Sequence, residues 1–181
     1  CGDFHELSST FKNIQIIYAI ESIVHSSNLA RLLGEVKKTL APGGLFIIID
    51  DFLVDEQPNN VIDDYRNNWL THGVSTESSF LEICESLGLS KMTSRSLRPL
   101  VRQSFKGTLG RILYFLGLKA SDNLYLKSII GGAARQNALL SNLLDYKLMI
   151  LKNCWQQNLK RCSRLTRKPV KYLLLKSVSY F

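Results

Sequence analysis

The sequence predicts an α/β protein built around a parallel β-sheet, and three consecutive segments carry this prediction. Residues 14–20 form a nearly unbroken apolar, β-branched run, which is typical of a strand buried on both faces. Residues 29–40 then place leucines and a valine at three- and four-residue spacings, which indicates an amphipathic helix. Residues 45–49 form a second apolar strand. Strand, helix and strand in this order make a βαβ unit, whose crossover we expect to be right-handed.

Capping and turn residues set the predicted ends of these elements. Ser26 and Ser27 offer a side-chain oxygen to cap the start of the helix. Pro42-Gly43-Gly44 should end it, because proline cannot continue a helix and glycine accepts turn conformations. The second strand is expected to end at Asp50-Asp51.

Further segments have weaker patterns. The predicted elements are a helix around 61–69, a helix opening with the capping box Ser79-x-x-Glu82 and ending at Gly88, a strand at 89–97, a glycine-interrupted helical region at 99–144 and a short strand at 146–151.

Composition excludes several classes of protein. The 181 residues are 45% hydrophobic, and no apolar run approaches the roughly 18 residues that a membrane span needs. The four cysteines form no Cys-x-x-Cys pair and the three histidines are scattered, so a metal site or a disulfide framework is disfavoured. Reduced cysteines predict a cytoplasmic protein. Because the chain begins with Cys1 rather than Met, we expect further sequence upstream.

The net charge of +8 is unevenly distributed. Residues 1–88 carry 13 acidic and 5 basic side chains, whereas residues 89–181 carry 2 acidic and 18 basic ones. We therefore predict a domain over residues 1–152 and a basic C-terminal extension over residues 153–181. Its cluster of positive charge is Lys160, Arg161, Arg164, Arg167, Lys168 and Lys171. This extension could contact an anionic membrane peripherally, lie free in solvent, or be a misannotated read-through.

Candidate functional residues follow the two predicted strands. In parallel sheets, ligands bind at the carboxyl ends of strands, which here are followed by Glu21 and His25 and by Asp50-Asp51-Phe52. His25 could act as a general base, since the reference pKa of histidine is about 6.5. In the alternative interpretation, Glu21 caps a loop and His25 hydrogen-bonds nearby backbone.

The same residues carry a resemblance to a known family. The matching segments are Gly2-Asp3-Phe4, residues 18–25 with Glu21 and His25, Leu40-Ala41-Pro42-Gly43-Gly44, and Asp50-Asp51. In this order they resemble class I S-adenosylmethionine-dependent methyltransferases, in particular the small-molecule branch that includes sterol and tocopherol methyltransferases. The resemblance implies a Rossmann-like methyltransferase sheet in three αβα layers, with S-adenosylmethionine as cofactor.

The resemblance also implies roles on the cofactor side. Asp3 would accept a hydrogen bond from the adenine amino group, and Phe4 would pack against the ring. Ile20 and Glu21 would line the cofactor pocket near the sulfonium.

On the acceptor side, the resemblance places His25 facing the methyl acceptor, with His25 and Glu21 as the candidate catalytic residues. Asp50, Asp51 and Phe52 would border the acceptor site.

The sequence departs from the family in its missing front half. The Gly-x-Gly-x-Gly loop, the acidic residue that binds the ribose and the first three strands have no counterpart in the 181 residues. The chain is therefore interpreted as the C-terminal half of such an enzyme, and we expect it to bind S-adenosylmethionine poorly on its own. The strand at 14–20 would also have an unpaired apolar edge.

The methyl acceptor is predicted to be a small molecule, lipid-like or a natural product. Nucleic-acid methyltransferases typically carry an Asn/Asp-Pro-Pro-aromatic turn where this chain has Ile20-Glu21-Ser22, which makes a nucleic-acid substrate unlikely. Residues 112–118 are apolar and could form a lid over a hydrophobic acceptor or pack in the core.

Two rival functions stay open. One is a dehydrogenase half, although the Tyr-x-x-x-Lys spacing that would support it is absent. The other is non-catalytic: a truncated product, or a basic interaction module that binds membrane lipid or RNA through residues 152–176.

Overall fold

The computed structural model describes residues 4–101, 112, 123–154 and 171–176. The helices are α1 (Leu7–Thr10), α2 (Leu29–Thr39), α3 (Asn60–Trp69), α4 (Glu77–Ser86) and α5 (Leu124–Leu140), with short 3-10 turns at Phe4–Glu6, Ile23–His25 and Arg98–Leu100. The strands are β1 (Ile14–Ile20), β2 (Leu40–Leu53), β3 (Leu89–Ser96), β4 (Leu144–Asn153) and β5 (Tyr172–Lys176).

These strands form one mixed sheet in the order β3-β4-β2-β1-β5. β1 pairs in parallel with β2 and β5, and β4 runs antiparallel between β2 and β3. The predicted α/β class and the βαβ unit made of β1, α2 and β2 are therefore confirmed.

β2 is longer than predicted at both ends. Its start includes Pro42-Gly43-Gly44, which were expected to form a turn outside the strand. Its end continues past Asp50-Asp51 to Leu53, because β4 pairs with it there: Asp51 lies opposite Tyr146 and Leu53 opposite Leu144.

Two predicted helix caps are wrong by a few residues. α2 is capped by Asn28, whose side-chain oxygen accepts the Arg31 N–H at 2.9 Å, rather than by Ser26 or Ser27. α4 begins at Glu77, because the extended residue Thr76 accepts the Ser79 N–H at 3.2 Å and caps the helix earlier than the Ser79 capping box would.

The predicted unpaired edge of β1 is also wrong. β5 lies along this edge in parallel register, with Tyr18 opposite Leu174, and Leu175 is buried. Hydrogen bonding to β5 satisfies backbone groups that an open edge would expose. The division of the chain at residues 152 and 153 stays a prediction, and residues 155–170 of the basic extension lie outside the described residues.

The core lies mainly on one face of the sheet. Ile17, Ala19, Phe46 and Ile48 are fully buried there, together with residues of α2 and α4, whereas Ile16 and Tyr18 on the opposite face of β1 are half-buried. A second, smaller cluster packs α3 and α5 against Leu53 and Leu144. None of the described helices is long and apolar enough to cross a membrane.

Candidate active site

The carboxyl ends of β1 and β2 meet at one edge of the sheet. Ile20 lies opposite Ile49, and the N–H of Glu21 donates to the Ile49 carbonyl at 2.9 Å. This parallel register brings the residues after β1 next to Asp50 and Asp51, as the sequence predicted for strands of one parallel pair. We call this edge the rim.

Asp50 holds the turn that follows β1. Its Oδ2 atom accepts the N–H groups of Ser22 at 2.9 Å and Ile23 at 2.8 Å, and its Oδ1 atom accepts the Asp51 N–H at 2.9 Å. The side chain is buried, in a residue that is only 1% exposed. Burial and the neighbouring Asp51 raise the pKa of Asp50 to about 7, against the effect of the three N–H donors.

This shifted pKa predicts a pH-dependent stability. The folded chain keeps the Asp50 proton up to about pH 7, whereas the reference carboxyl releases it near 3.8. The folded state therefore binds more protons between these values, and its free energy of unfolding should fall as pH rises through them. Between about pH 5.5 and about pH 7.5 we expect wild type to lose about 1–2 kcal/mol more than Asp50→Asn in urea unfolding. Equal losses in both proteins would contradict a raised pKa.

Glu21 leaves the strand in a left-handed conformation, with φ 47°. Non-glycine residues adopt this region rarely, and here the Asp50 contacts to the next two amides hold it. The Glu21 side chain is 60% exposed and Ile20 is 41% exposed. An apolar side chain and a carboxylate are therefore both accessible at the carboxyl end of β1.

His25 is the last residue of the 3-10 turn that follows Ile20 and Glu21. Its Nδ1 atom lies 3.4 Å from the Leu70 carbonyl oxygen, and since a carbonyl only accepts, this contact places the proton on Nδ1. Burial lowers the pKa of His25, with the Leu70 contact and Glu21 opposing the shift. A neutral ring of this tautomer presents Nε2 as a proton acceptor.

The loop after α3 packs closely against this turn. The N–H of Gly73 donates to the Val24 carbonyl at 2.7 Å, and a Cβ at Gly73 would lie 2.5 Å from the Ile23 carbonyl oxygen. Glycine is needed here because the two backbones approach so closely.

Asp51 makes an ion pair that the sequence did not predict. Arg135 of α5 donates from Nε to Oδ2 at 2.6 Å and from Nη2 to Oδ1 at 2.9 Å, and Tyr65 donates its hydroxyl to Oδ2 at 2.8 Å. Asp51 is 4% exposed, so this two-point contact neutralises a buried carboxylate.

Arg135 also connects Asp51 to the exposed Glu21. Its guanidinium carbon lies 5.1 Å from the centre of the Tyr146 ring and 5.9 Å from that of Trp69. Its Nη2 atom is 3.7 Å from Glu21 Oε1, and the Tyr146 hydroxyl donates to the same oxygen at 3.2 Å. The rim therefore contains an arginine between two carboxylates and two aromatic rings.

Phe52 and Phe4, predicted to contact the acceptor and the cofactor, pack in or against the core. Phe52 is 1% exposed and packs edge-on against Phe80 in the core, with ring centroids 5.4 Å apart, so contact with an acceptor would require this ring to leave the core. Phe4 packs against the first core cluster and the His5 ring. Asp3 lies outside the described residues, as does the predicted lid apart from the exposed Ile112.

No group of three or more His, Cys, Asp or Glu side chains is placed to hold a metal ion within the described ranges. The roles predicted for individual rim residues stay predictions. The structure does show where these residues lie. Ile20, Glu21 and His25 lie on the accessible side of the rim, and Asp50 is buried behind them.

Comparison with solved structures matches this architecture to one fold. The phosphoethanolamine N-methyltransferase 2 of Haemonchus contortus, solved with S-adenosylmethionine, superimposes with a TM-score of 0.62 at 16% identity, covering 84% of this chain and 36% of that one. The described residues thus have the fold of the Rossmann-like methyltransferases.

Sequence relatives indicate a more specific group of methyltransferases. A sterol 24-C-methyltransferase of Gibberella zeae is 29% identical over 84 residues, which are 46% of this chain and 21% of the relative. Another, from Neurospora crassa, is 32% identical over 91 residues, which are 50% of this chain and 24% of the relative. No family model matches the chain. The chain is related to the small-molecule branch of class I S-adenosylmethionine-dependent methyltransferases, and it spans less than a quarter of the length of these two relatives.

Proposed function

We propose that this chain is part of an enzyme that transfers a methyl group from S-adenosylmethionine to a small, lipid-like or natural-product acceptor. The observation that carries the proposal is the rim itself. An exposed apolar side chain, an exposed carboxylate and a neutral imidazole gather where two parallel strands end, at Ile20, Glu21 and His25. The sequence relatives of this chain are sterol 24-C-methyltransferases, which supports this proposal.

The rim fits part of the proposed cofactor. The bound cofactor supplies a methyl group activated on a positively charged sulfur. The carboxylate of Glu21 complements that charge, and Ile20 offers an apolar wall beside it. Asp3 and Phe4 would hold the adenine end, whereas the amino-acid end has no glycine-rich cradle in these 181 residues. We therefore expect this chain alone to bind S-adenosylmethionine weakly in calorimetric titration.

The described residues suggest how the rim would assist transfer. Asp50 fixes the turn so that Glu21 and His25 keep their relative placement, which aligns the reacting groups. His25 Nε2 would take a proton from a nucleophilic acceptor atom. Glu21 would instead stabilise the positive charge that develops if the acceptor is an alkene carbon.

The proposal is tested by Glu21→Gln and His25→Ala in the full-length protein. We expect each change to lower kcat for methyl transfer, by about 100-fold where His25 acts as the base. Transfer of a radiolabelled methyl group to candidate lipids and natural products measures this rate. Glu82→Gln, an exposed carboxylate of α4, is the matched control and should leave the rate unchanged. Wild-type rates in both rim variants would remove these residues from the mechanism.

The proposal places the enzyme in the cytoplasm. The two described cysteines are free thiols, Cys84 in the core and Cys154 at the surface. Burial raises the pKa of Cys84 to about 12, so this thiol stays protonated and unreactive.

A further inference from the structure

Glu21 is contacted at the rim from two elements distant in sequence. Tyr146 on β4 donates its hydroxyl to Glu21 Oε1 at 3.2 Å, and Arg135 on α5 places Nη2 3.7 Å from the same oxygen. Burial and the Glu21 charge raise the pKa of Tyr146, so the hydroxyl keeps its proton and remains a donor. One carboxylate oxygen is therefore approached by a hydrogen-bond donor and a cation together.

Arg135 is itself tightly held. Two of its nitrogens donate hydrogen bonds to Asp51, and the rings of Trp69 and Tyr146 lie against its guanidinium group. Trp69 is fixed in turn, because its indole N–H donates to the Ser128 carbonyl at 2.9 Å. A guanidinium anchored in this way offers Glu21 a charge at a fixed place.

We propose that Arg135 and Tyr146 are positioning residues that hold the Glu21 carboxylate at the rim for methyl transfer. The inference rests on the proposed function, since it concerns the role of Glu21 in methyl transfer. Neither Arg135 nor Tyr146 needs to touch the cofactor or the acceptor.

A double-mutant cycle in the full-length protein tests the proposal. Tyr146→Phe removes the donor and keeps the ring beside Arg135, and we expect kcat/KM for methyl transfer to fall about tenfold, the effect of a hydrogen bond to a charged group. In a Glu21→Ala background the same change should alter kcat/KM less than about twofold, because no carboxylate is left to position. Arg135→Lys keeps the charge and loses the two-point contact, and its kcat/KM should lie between those of wild type and Glu21→Ala. Tyr125→Phe, an exposed tyrosine of α5, is the control.

The outcomes separate the two claims. One outcome is that Glu21→Ala lowers kcat/KM while Tyr146→Phe lowers it by the same factor in wild type and in Glu21→Ala. In that case the positioning role is wrong and the function of Glu21 stands. If Glu21→Ala keeps the wild-type rate, the proposed role of Glu21 fails, and the positioning role with it. A second cycle, on urea unfolding of the 181-residue chain, needs no activity. A coupling of zero between positions 21 and 146 there would overturn the contact itself.

Discussion

Replacing Arg135 with Met should lower the free energy of unfolding by about 3–5 kcal/mol, the typical effect of removing one partner from a buried ion pair. Met keeps much of the length and apolar contact of the arginine stem but leaves Asp51 without a cation. Only the Tyr65 hydroxyl then remains of the three side-chain contacts described for that buried carboxylate. Urea unfolding followed by circular dichroism measures the loss.

Two variants separate the buried pair from general effects of removing an arginine. Arg66→Met breaks an exposed pair with Asp63, whose atoms are 3.8 Å apart, and should cost at most about 1 kcal/mol. Asp51→Leu combined with Arg135→Met removes both charges, and we expect it to recover most of the stability lost by the single change. A loss below about 1 kcal/mol in Arg135→Met would mean that Asp51 is not a buried anion.

The centre of the fold and the location of the rim could be predicted from the sequence because the signals are local. The apolar runs of β1 and β2, and the helix period between them, identify a βαβ unit without reference to any other segment. Parallel strands place their carboxyl ends together, so the proximity of Glu21 and Asp50 followed directly. The family resemblance rested on these segments together with Gly2-Asp3-Phe4.

The rest of the rim has no local signal. Arg135 and Asp51 are 84 residues apart, and Tyr146 and Glu21 are 125 apart, so no period or motif relates either pair. The burial of Asp50 and Phe52 depends on β4 extending the pairing of β2, and the covered edge of β1 depends on β5. Such pairings depend on the tertiary fold, which sequence pattern alone does not specify.

The glycine pair in α5 shows how a local signal was misread. Gly131 and Gly132 lie in the region predicted to be helical with glycine interruptions, yet α5 runs through both without a break. The reason is a close contact with Trp69. A Cβ at Gly131 would overlap Cδ1 of this indole and lie 2.8 Å from its Cγ and Nε1 atoms. Glycine weakens the helix by about 1 kcal/mol, but here it allows the ring to lie against the helix backbone.

Gly131→Ala should therefore destabilise the chain, although alanine is the better helix former. Trp69 can move away only by weakening its hydrogen bond to Ser128 and its contact with Arg135, and overpacking of this kind costs about 1–3 kcal/mol. Gly132→Ala is the matched control, since its Cβ would lie 3.4 Å from Trp69 Cζ2, an ordinary contact. That change should be neutral or stabilising by up to about 1 kcal/mol. In urea unfolding, we therefore expect the free energy of unfolding to fall in Gly131→Ala and to stay the same or rise in Gly132→Ala. Stabilisation by both changes would show that the indole does not pack against α5 at Gly131.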